Sequence, residues 1–439
     1  MARTPNLGNV STKLQRIAQL AGEDRDRVLV SLAHHIDLEF LREAYGRTRK
    51  DGASGVDGVT AAVYQENLEE NLQSLLDRFK SGLYKAPPVR RVYIPKGGDR
   101  SAKRPIGVPT FEDKILQRAV AMVLEAVYEQ DFLDCSYGFR PDRSAHQAIG
   151  GLWQLLMSMG GGWVLEADIE GFYDNLDPRH LRDFLDQRVR DGVLRRSLDK
   201  WLKAGVMEAG NLSHPATGTP QGGVISPLLS NIYLHKVLDE WFEKEVKPRL
   251  SGPAHLIRFA DDFVLVFQEE ADARRVLEVL PKRFGKYGLS LHPDKTRLLR
   301  FERPKPGQAP PHEGPRSFDF LGFTHYWERS RRGIWVVKRK TASNRFTRFL
   351  LRLNLWCQGH RHAPLTEQHA ELLRKLKGHY GYYGITGNSR SLSSLHHRVK
   401  RIWRKWLSRR TRDSRLTWQR FNLLLERYPL PNPRVCKRV

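Results

Sequence analysis

The stretch RFADDFVLVF, Arg258–Phe267, sets two adjacent carboxylates, Asp261 and Asp262, between Phe259–Ala260 and a wholly apolar run. Apolar residues on both sides predict a β-hairpin whose tight turn holds Asp261 and Asp262. Like charges repel, and a carboxylate buried without a partner is costly, so the pattern needs an explanation. Two are open at this point: an ordinary polar hairpin tip, or a seat for a divalent cation.

A second acidic position favours the cation. GGGWVLEADIEGFYDNL, Gly160–Leu176, contains a short predicted strand, Trp163–Ala167, that ends on Asp168. A neighbouring strand would bring this carboxylate beside Asp261. Two carboxylates from adjacent strands can clamp two Mg²⁺ ions, the hard-oxygen arrangement used for in-line phosphoryl transfer.

Charge narrows the partner. The chain has 439 residues, a formal charge of +25 and a pI near 10.1, which points first to a polyanion and above all to nucleic acid. From Arg331 to Val439 there are 27 Lys and Arg against four Asp and Glu, so a nearly neutral body carries a basic C-terminal arm. That arm is helical in pattern and interleaves aromatics, among them Tyr380, Tyr382, Tyr383, Trp403, Trp406 and Trp418, which suits stacking on unpaired bases beside phosphate contacts. Three scattered cysteines form no CxxC pair, so a disulfide framework and a zinc knuckle are not expected and a reducing setting is. No apolar run approaches the roughly 20 residues that span a bilayer, and the start shows no signal-peptide core. The expectation is a soluble, cytoplasmic protein without a membrane partner. The basic start KLQRIAQLAG reads as a surface helix in preference to a transit peptide.

Along the chain, residues 1–85 read as amphipathic helix broken by the loop DGASGVDGVT. Residues 86–160 open with two short strands around a basic turn, Arg90–Pro109, followed by a helix striped with Ile115, Leu116, Ala119, Val120, Val123, Leu124 and Val127. Within 161–330, helices are predicted over 179–190, 193–204 and 271–287, and from Ser226–Pro227, where Ser caps and Pro opens the first turn. RPKPGQAPPHEGPR, Arg303–Arg316, reads as an exposed connector. Residues 331–439 form the basic arm.

The blocks DIEGFYDN, TPQGGVISPLLSNIYL, RFADD, GLSLHPDKT and FDFLGF, in this order and spacing, resemble the successive motifs of a reverse transcriptase. Upstream, VYIPK, RPIGVPTFEDKILQ and SYGFRPDRSAH resemble the fingers of bacterial group II intron reverse transcriptases. The resemblance implies an α+β right-hand polymerase: a helical N-terminal region and fingers, a ferredoxin-like antiparallel-sheet palm and an all-helical basic thumb or maturase region. It implies an RNA-directed DNA polymerase that adds dNTPs to a primer and binds intron RNA to assist splicing and mobility. Its partners would be an RNA template, intron RNA and a DNA primer or target, and its cofactor two Mg²⁺ ions, with Mn²⁺ as a substitute. An intron-free reverse transcriptase adopted by a host and a splicing-only maturase are the alternatives.

Carried over residue by residue, the resemblance makes Asp168 and Asp261 ligands of both metals, with Asp262 and the Ile169 carbonyl beside them. Lys96 and Arg104 would grip the triphosphate as a point charge and a fork. Gln221 would lie under the nucleotide, with Gly222 and Gly223 allowing close backbone approach. Tyr173 or Phe172 would screen the 2′-position, and Lys295 would reach the site. Phe320, Leu321 and Gly322 fall where the primer grip lies. Arg140, Tyr382, Arg401, Arg404, Lys405, Arg409 and Arg410 are candidate nucleic-acid contacts. Many relatives carry a metal-bound endonuclease after the thumb, and the absence of CxxC and of a His cluster there argues against one here. Phe259 departs from the family's usual Tyr, a change expected to tune nucleotide handling.

Overall fold

The structure, a computed structural model, describes residues 7–95, 103–208, 211–213, 222–304, 317–410 and 416–437. In chain order, α1 (Leu7–Glu23), α2 (Leu38–Arg47), α3 (Ala61–Glu66) and α4 (Leu68–Ser81) precede β1 (Val89–Pro95), β2 (Lys103–Val108), α5 (Phe111–Tyr128) and α6 (Ala145–Met159). Then come β3 (Trp163–Ala167), α7 (Phe172–Asn175), α8 (Pro178–Asp186), α9 (Gly192–Leu202), β4 (Val206–Glu208), β5 (Asn211–Ser213) and α10 (Ser226–Leu234). The hairpin β6 (Ala254–Phe259) and β7 (Asp262–Phe267) is followed by α11 (Glu270–Lys286), β8 (Arg297–Arg300), β9 (Ser317–Phe320), β10 (Phe323–Arg329) and β11 (Trp335–Thr341). Helices α12 (Ser343–Gly359), α13 (Leu365–Tyr383), α14 (Ser389–Leu407) and α15 (Trp418–Arg427) complete the chain. The architecture is α+β, and no helix among the described residues is long and apolar enough to cross a membrane.

The chain divides into two compact units. The first comprises residues 1–96, 100–144 and 165–298, and the second 97–99, 145–164 and 299–439. In the first unit α5 is the central post. Its predicted stripe from Ile115 to Val127 is buried throughout, because apolar residues at i, i+3, i+4 and i+7 make one continuous face that α1, α2 and α10 cover. Two sheets flank this core. One has the order β2-β1-β4-β5, with β1 antiparallel to β2 and parallel to β4; the other has the order β6-β7-β3-β8. Every residue of β7 after Asp262 is buried, from Phe263 to Phe267; each such side chain contributes roughly 1.5–3 kcal/mol, so this strand makes a stiff support for the turn before it.

The second unit pairs the sheet β11-β10-β9 with α6 on one side, where Trp153 Nε1 donates to the Val337 carbonyl at 2.8 Å. Helices α12–α15 close on their own core around Leu353, Leu372, Leu376, Leu395, Val399, Trp403 and Phe421. The basic arm is therefore not all helical: WVVKRKT forms β11, whose alternating Val337 and Arg339 face inward. Ser226 is the first residue of α10 and not its cap, Ile225 taking that place.

Candidate polymerase active site

The hairpin β6–β7 has a two-residue loop, because Phe259 pairs with Asp262. The turn therefore consists of Ala260 and Asp261, while Asp262 opens β7, so that the turn and the start of β7 both come one residue earlier than the sequence suggests. Ala260 has φ +58°. A positive φ at the first loop residue matches the twist of the flanking strands, although for alanine it is strained.

Asp168 follows β3, the neighbour of β7. Two elements fix it. Its carbonyl accepts from His292 N at 2.8 Å, Ile169 bridges Leu291, and Glu170 N donates to the Ser290 carbonyl at 2.9 Å. The segment LHPDK is thus zipped along DIE, and its short helical turn Pro293–Lys295 swings the Lys295 ammonium onto the Asp168 carboxylate in an ion pair. Burial pushes the Asp261 carboxyl above the usual carboxylate range, and the charge of Asp168 pushes it further; Arg104 and Arg258 pull it back. Two partly buried carboxylates that feel each other, Asp168 already drawing the Lys295 ammonium, offer hard oxygens that could hold a cation, and Mg²⁺ fits that donor set. Asp262 is exposed at the edge of the turn. Among the described residues there is no group of three or more His, Cys, Asp or Glu that could hold a metal ion.

The two candidate rings separate cleanly. Phe172 is 3% exposed and meets Tyr233 edge-on at 6.3 Å, so it is a core residue. Tyr173 bonds to Ser230, and the charges of Asp261 and Arg104 both reach its hydroxyl, whose pKa is raised by burial. Arg104, on β2, therefore shares the region with Asp261 and Tyr173. Lys96 and Gln221 lie outside the described residues. Immediately after Gln221, Gly222 has φ +117°, and a Cβ there would stand 2.5 Å from the Gly107 carbonyl oxygen and 2.6 Å from Ile106 Cγ2 of β2. Gln117, on α5, accepts from Val224 N at 2.8 Å and gives its own amide to the buried Asp113 at 2.9 Å, which pins the far side of this loop. Gln117 and Asp113 went unremarked in the sequence, where only the helical stripe around them was visible.

In the second unit, Leu321 (φ +48°) and Gly322 (φ +80°) form the two-residue turn between β9 and β10, while Phe320 is buried. The Tyr382 hydroxyl donates to the Leu321 carbonyl at 2.8 Å and its ring stacks on Phe323; it braces the turn and is not free to stack on a base. Beside Gly322 stands Arg345, the first of a row with Arg348 and Arg352 on α12. Burial and the charges of Arg345 and Arg352 hold the pKa of Arg348 below the usual arginine range. The row concentrates positive charge along α12, and its spacing i, i+3, i+7 is available in SNRFTRFLLR.

Several expected nucleic-acid contacts are occupied within the protein. Arg140, only 8% exposed, forks onto Glu129 at 3.0 Å and bonds the Leu133 and Ser136 carbonyls. Arg404 bonds the Leu416 carbonyl and covers the Trp418 ring at 4.3 Å, and Arg410 bonds the Arg361 and Ala363 carbonyls. Trp403, Trp406 and Tyr380 belong to the helical core. Arg401, Lys405 and Arg409 are exposed.

Residues 94–325 match the family described as Reverse transcriptase (RNA-dependent DNA polymerase). The chain belongs to the reverse transcriptase family. That match takes in Asp168, Asp261, Asp262 and Lys295, and the family implies the right-hand polymerase fold. This reverse transcriptase is 37% identical over 349 residues to protein YkfC of Escherichia coli K12, covering 70% of this chain and 86% of that one. It is 36% identical over 228 residues to the group II intron-encoded protein LtrA of Lactococcus lactis, 51% of this chain and 37% of LtrA. A 91 kDa protein in the cob intron of Schizosaccharomyces pombe is 34% identical over 208 residues, 47% of this chain and 25% of that protein. The chain thus spans most of YkfC and well under half of the two intron proteins. The resemblance to group II intron-encoded reverse transcriptases is borne out by these relatives.

Proposed function

We propose that the chain copies RNA into DNA by adding dNTPs to a primer 3′ end at Asp168, Asp261 and Asp262, and that it binds intron RNA to assist splicing and mobility. Convergence of Asp168, Asp261, Arg104, Tyr173 and Lys295 on one region of the first unit carries this reading. The β6-β7-β3-β8 sheet serves as the palm, the β1–β2 hairpin as part of the fingers and α12–α14 as the thumb. Two Mg²⁺ ions held by the carboxylates and the Ile169 carbonyl, or Mn²⁺ in their place, would supply Lewis acidity toward the primer hydroxyl and charge neutralisation at pyrophosphate. Arg104 and Lys96 hold the triphosphate, Arg104 through its planar fork. The Tyr173 ring screens the sugar, Gln221 lies under the nucleotide, and Lys295 stays at the Asp168 edge. Phe320, Leu321 and Gly322 steer the primer end. The basic row on α12, with Arg401, Lys405 and Arg409, meets phosphates. The intron role draws on relatives whose names carry it.

Primer extension on a poly(rA) template with an oligo(dT) primer and Mg²⁺ tests the catalytic reading. Asp261→Ala is expected to abolish synthesis while leaving the fold and RNA affinity intact; synthesis by that variant removes the carboxylates from the mechanism. Binding of a group II intron RNA in preference to an unrelated RNA of equal length tests the second half, and equal affinity for both refutes it.

A further inference from the structure

Three sequence features that the polymerisation chemistry leaves without a task meet at one buried point of the first unit: SYG in the block SYGFRPDRSAH, the asparagine of SNIYL, and the arginine that opens RFADD. Arg258 is 0% exposed and so is its partner Asp239. Nε and Nη2 of Arg258 fork onto Asp239 at 2.7 and 2.5 Å. Nη2 also donates to Ser136 Oγ at 2.8 Å, and Nη1 donates to Asn231 Oδ1 at 3.0 Å and to the Ala260 carbonyl at 3.1 Å. All five guanidinium donors are thereby used. Asn231 Nδ2 in turn donates to the Gly138 carbonyl at 2.6 Å. The backbones join as well, Arg258 N to the Cys135 carbonyl at 2.8 Å and Tyr137 N to the Arg258 carbonyl at 2.9 Å. Gly138 lies flat against the turn, where a Cβ would be 2.3 Å from Ala260 N and 2.9 Å from the Phe259 carbonyl carbon.

A buried ion pair is an inefficient way to hold a core together, since apolar residues of similar volume serve as well or better. What a guanidinium supplies and an apolar side chain does not is direction. Here one of its five bonds goes to the carbonyl of the single hairpin residue with positive φ, the residue immediately before Asp261. A strained conformation persists only where its surroundings over-determine it. We propose that Arg258 is a positioning residue: through the Ala260 carbonyl it fixes the left-handed turn and hence the direction in which Asp261 is presented, while Asp239, Asn231 and Ser136 hold the guanidinium and Gly138 makes room for the turn. The inference rests on reading Asp261 as a working carboxylate of the polymerase.

The decisive variant is the pair exchange Arg258→Met with Asp239→Val in the full chain, which removes the anchor without leaving a buried charge unpaired. Its thermal midpoint and its affinity for a primer-template duplex are expected to stay near wild type, as is KM for dTTP. Its kcat is expected to fall about 100-fold, the effect of displacing a catalytic group by roughly 1 Å. In the metal-free protein, hydrogen exchange at the amides of Ala260–Asp262 is expected to accelerate while Phe263–Phe267 stay protected. A folded exchange variant with wild-type kcat and wild-type exchange at the turn overturns the proposal, because a merely structural pair would behave in that way. Should the exchange variant not fold, Gly138→Ala keeps every donor and pushes the turn directly. The same loss of kcat with retained duplex affinity is expected there, and wild-type kcat overturns the proposal. Asp261→Ala run alongside separates the two levels: if it polymerises, the reading of Asp261 fails, while the exchange measurement still decides whether Arg258 holds the turn.

Discussion

Gly222→Ala is the most exacting test of how the loop after Gln221 is seated. At φ +117° the residue occupies a region that is in practice reserved for glycine, and forcing another residue there costs of order 1–3 kcal/mol. The added methyl also meets the Gly107 carbonyl at 2.5 Å and Ile106 Cγ2 at 2.6 Å. The first is backbone of β2 and cannot rotate away. On the other side the loop is held by Gln117 through Val224 N, so sliding outward loses that bond, a cost of about 1 kcal/mol that opposes the shift. Strain at the upper end of that range, about 3 kcal/mol, less about 1 kcal/mol for the lost bond, leaves about 2 kcal/mol, which favours the displaced loop by about 30-fold. In steady-state primer extension, kcat/KM for the incoming dNTP should therefore fall by about 30-fold. Duplex affinity should hold and the thermal midpoint should move only slightly, since the loop relieves its strain locally. Wild-type kcat/KM in a folded Gly222→Ala protein would show that close approach of this loop to β2 has no part in nucleotide selection.

Three further outcomes are expected. Tyr173→Ala should raise ribonucleotide incorporation by tenfold or more in single-nucleotide extension, whereas Phe172→Ala should mainly lower the thermal midpoint; unchanged discrimination in the first removes the ring from sugar selection. Burial pushes the Asp113 carboxyl from 3.8 up to about 6, so its contribution to stability is full below about 3.8 and lost as pH rises to about 6. Urea titrations from pH 3.5 to 6.5 should find wild type losing about 3 kcal/mol more than Asp113→Asn across that window, and parallel curves would mean that this carboxyl is ionised throughout. Replacing Arg345, Arg348 and Arg352 together by Gln should flatten the salt dependence of duplex binding by about two to three units of slope, and an unchanged slope would take the α12 row away from the phosphates.

The hairpin and the strand Trp163–Ala167 were legible because their apolar runs are local and end on carboxylates. The turn itself slipped by one residue: Asp-Asp is the more turn-like pair, yet alanine takes the positive φ with Arg258 bonded to its carbonyl. Arg140 read as a nucleic-acid contact because nothing in SYGFRPDR announces Glu129, eleven residues earlier, as its partner. β11 was hidden by its basic residues, since the alternation in WVVKRKT emerges only when Arg339 lies buried over the Trp153 ring at 5.5 Å. Phe172 and Tyr173 could not be told apart without helix α10, whose Tyr233 packs on the Phe172 ring while its Ser230 bonds the Tyr173 hydroxyl. For Arg339 and Phe172 the missing information was a partner distant in sequence, while what periodicity settles came through.

The composition of the second unit bears on how the protein is made. Helix α6 belongs to it, with Ile149 packed on Phe323 and Ile385 and Trp153 bonded to β11. At about 5–20 residues per second, a ribosome takes on the order of 10–30 s to proceed from Met159 to Phe323. Throughout that interval Ile149 and Trp153 have been synthesised, and their partners Phe323, Ile385 and Val337 have not. During synthesis the α6 face that packs on β10 and β11 therefore waits exposed, the condition under which apolar segments are prone to aggregate.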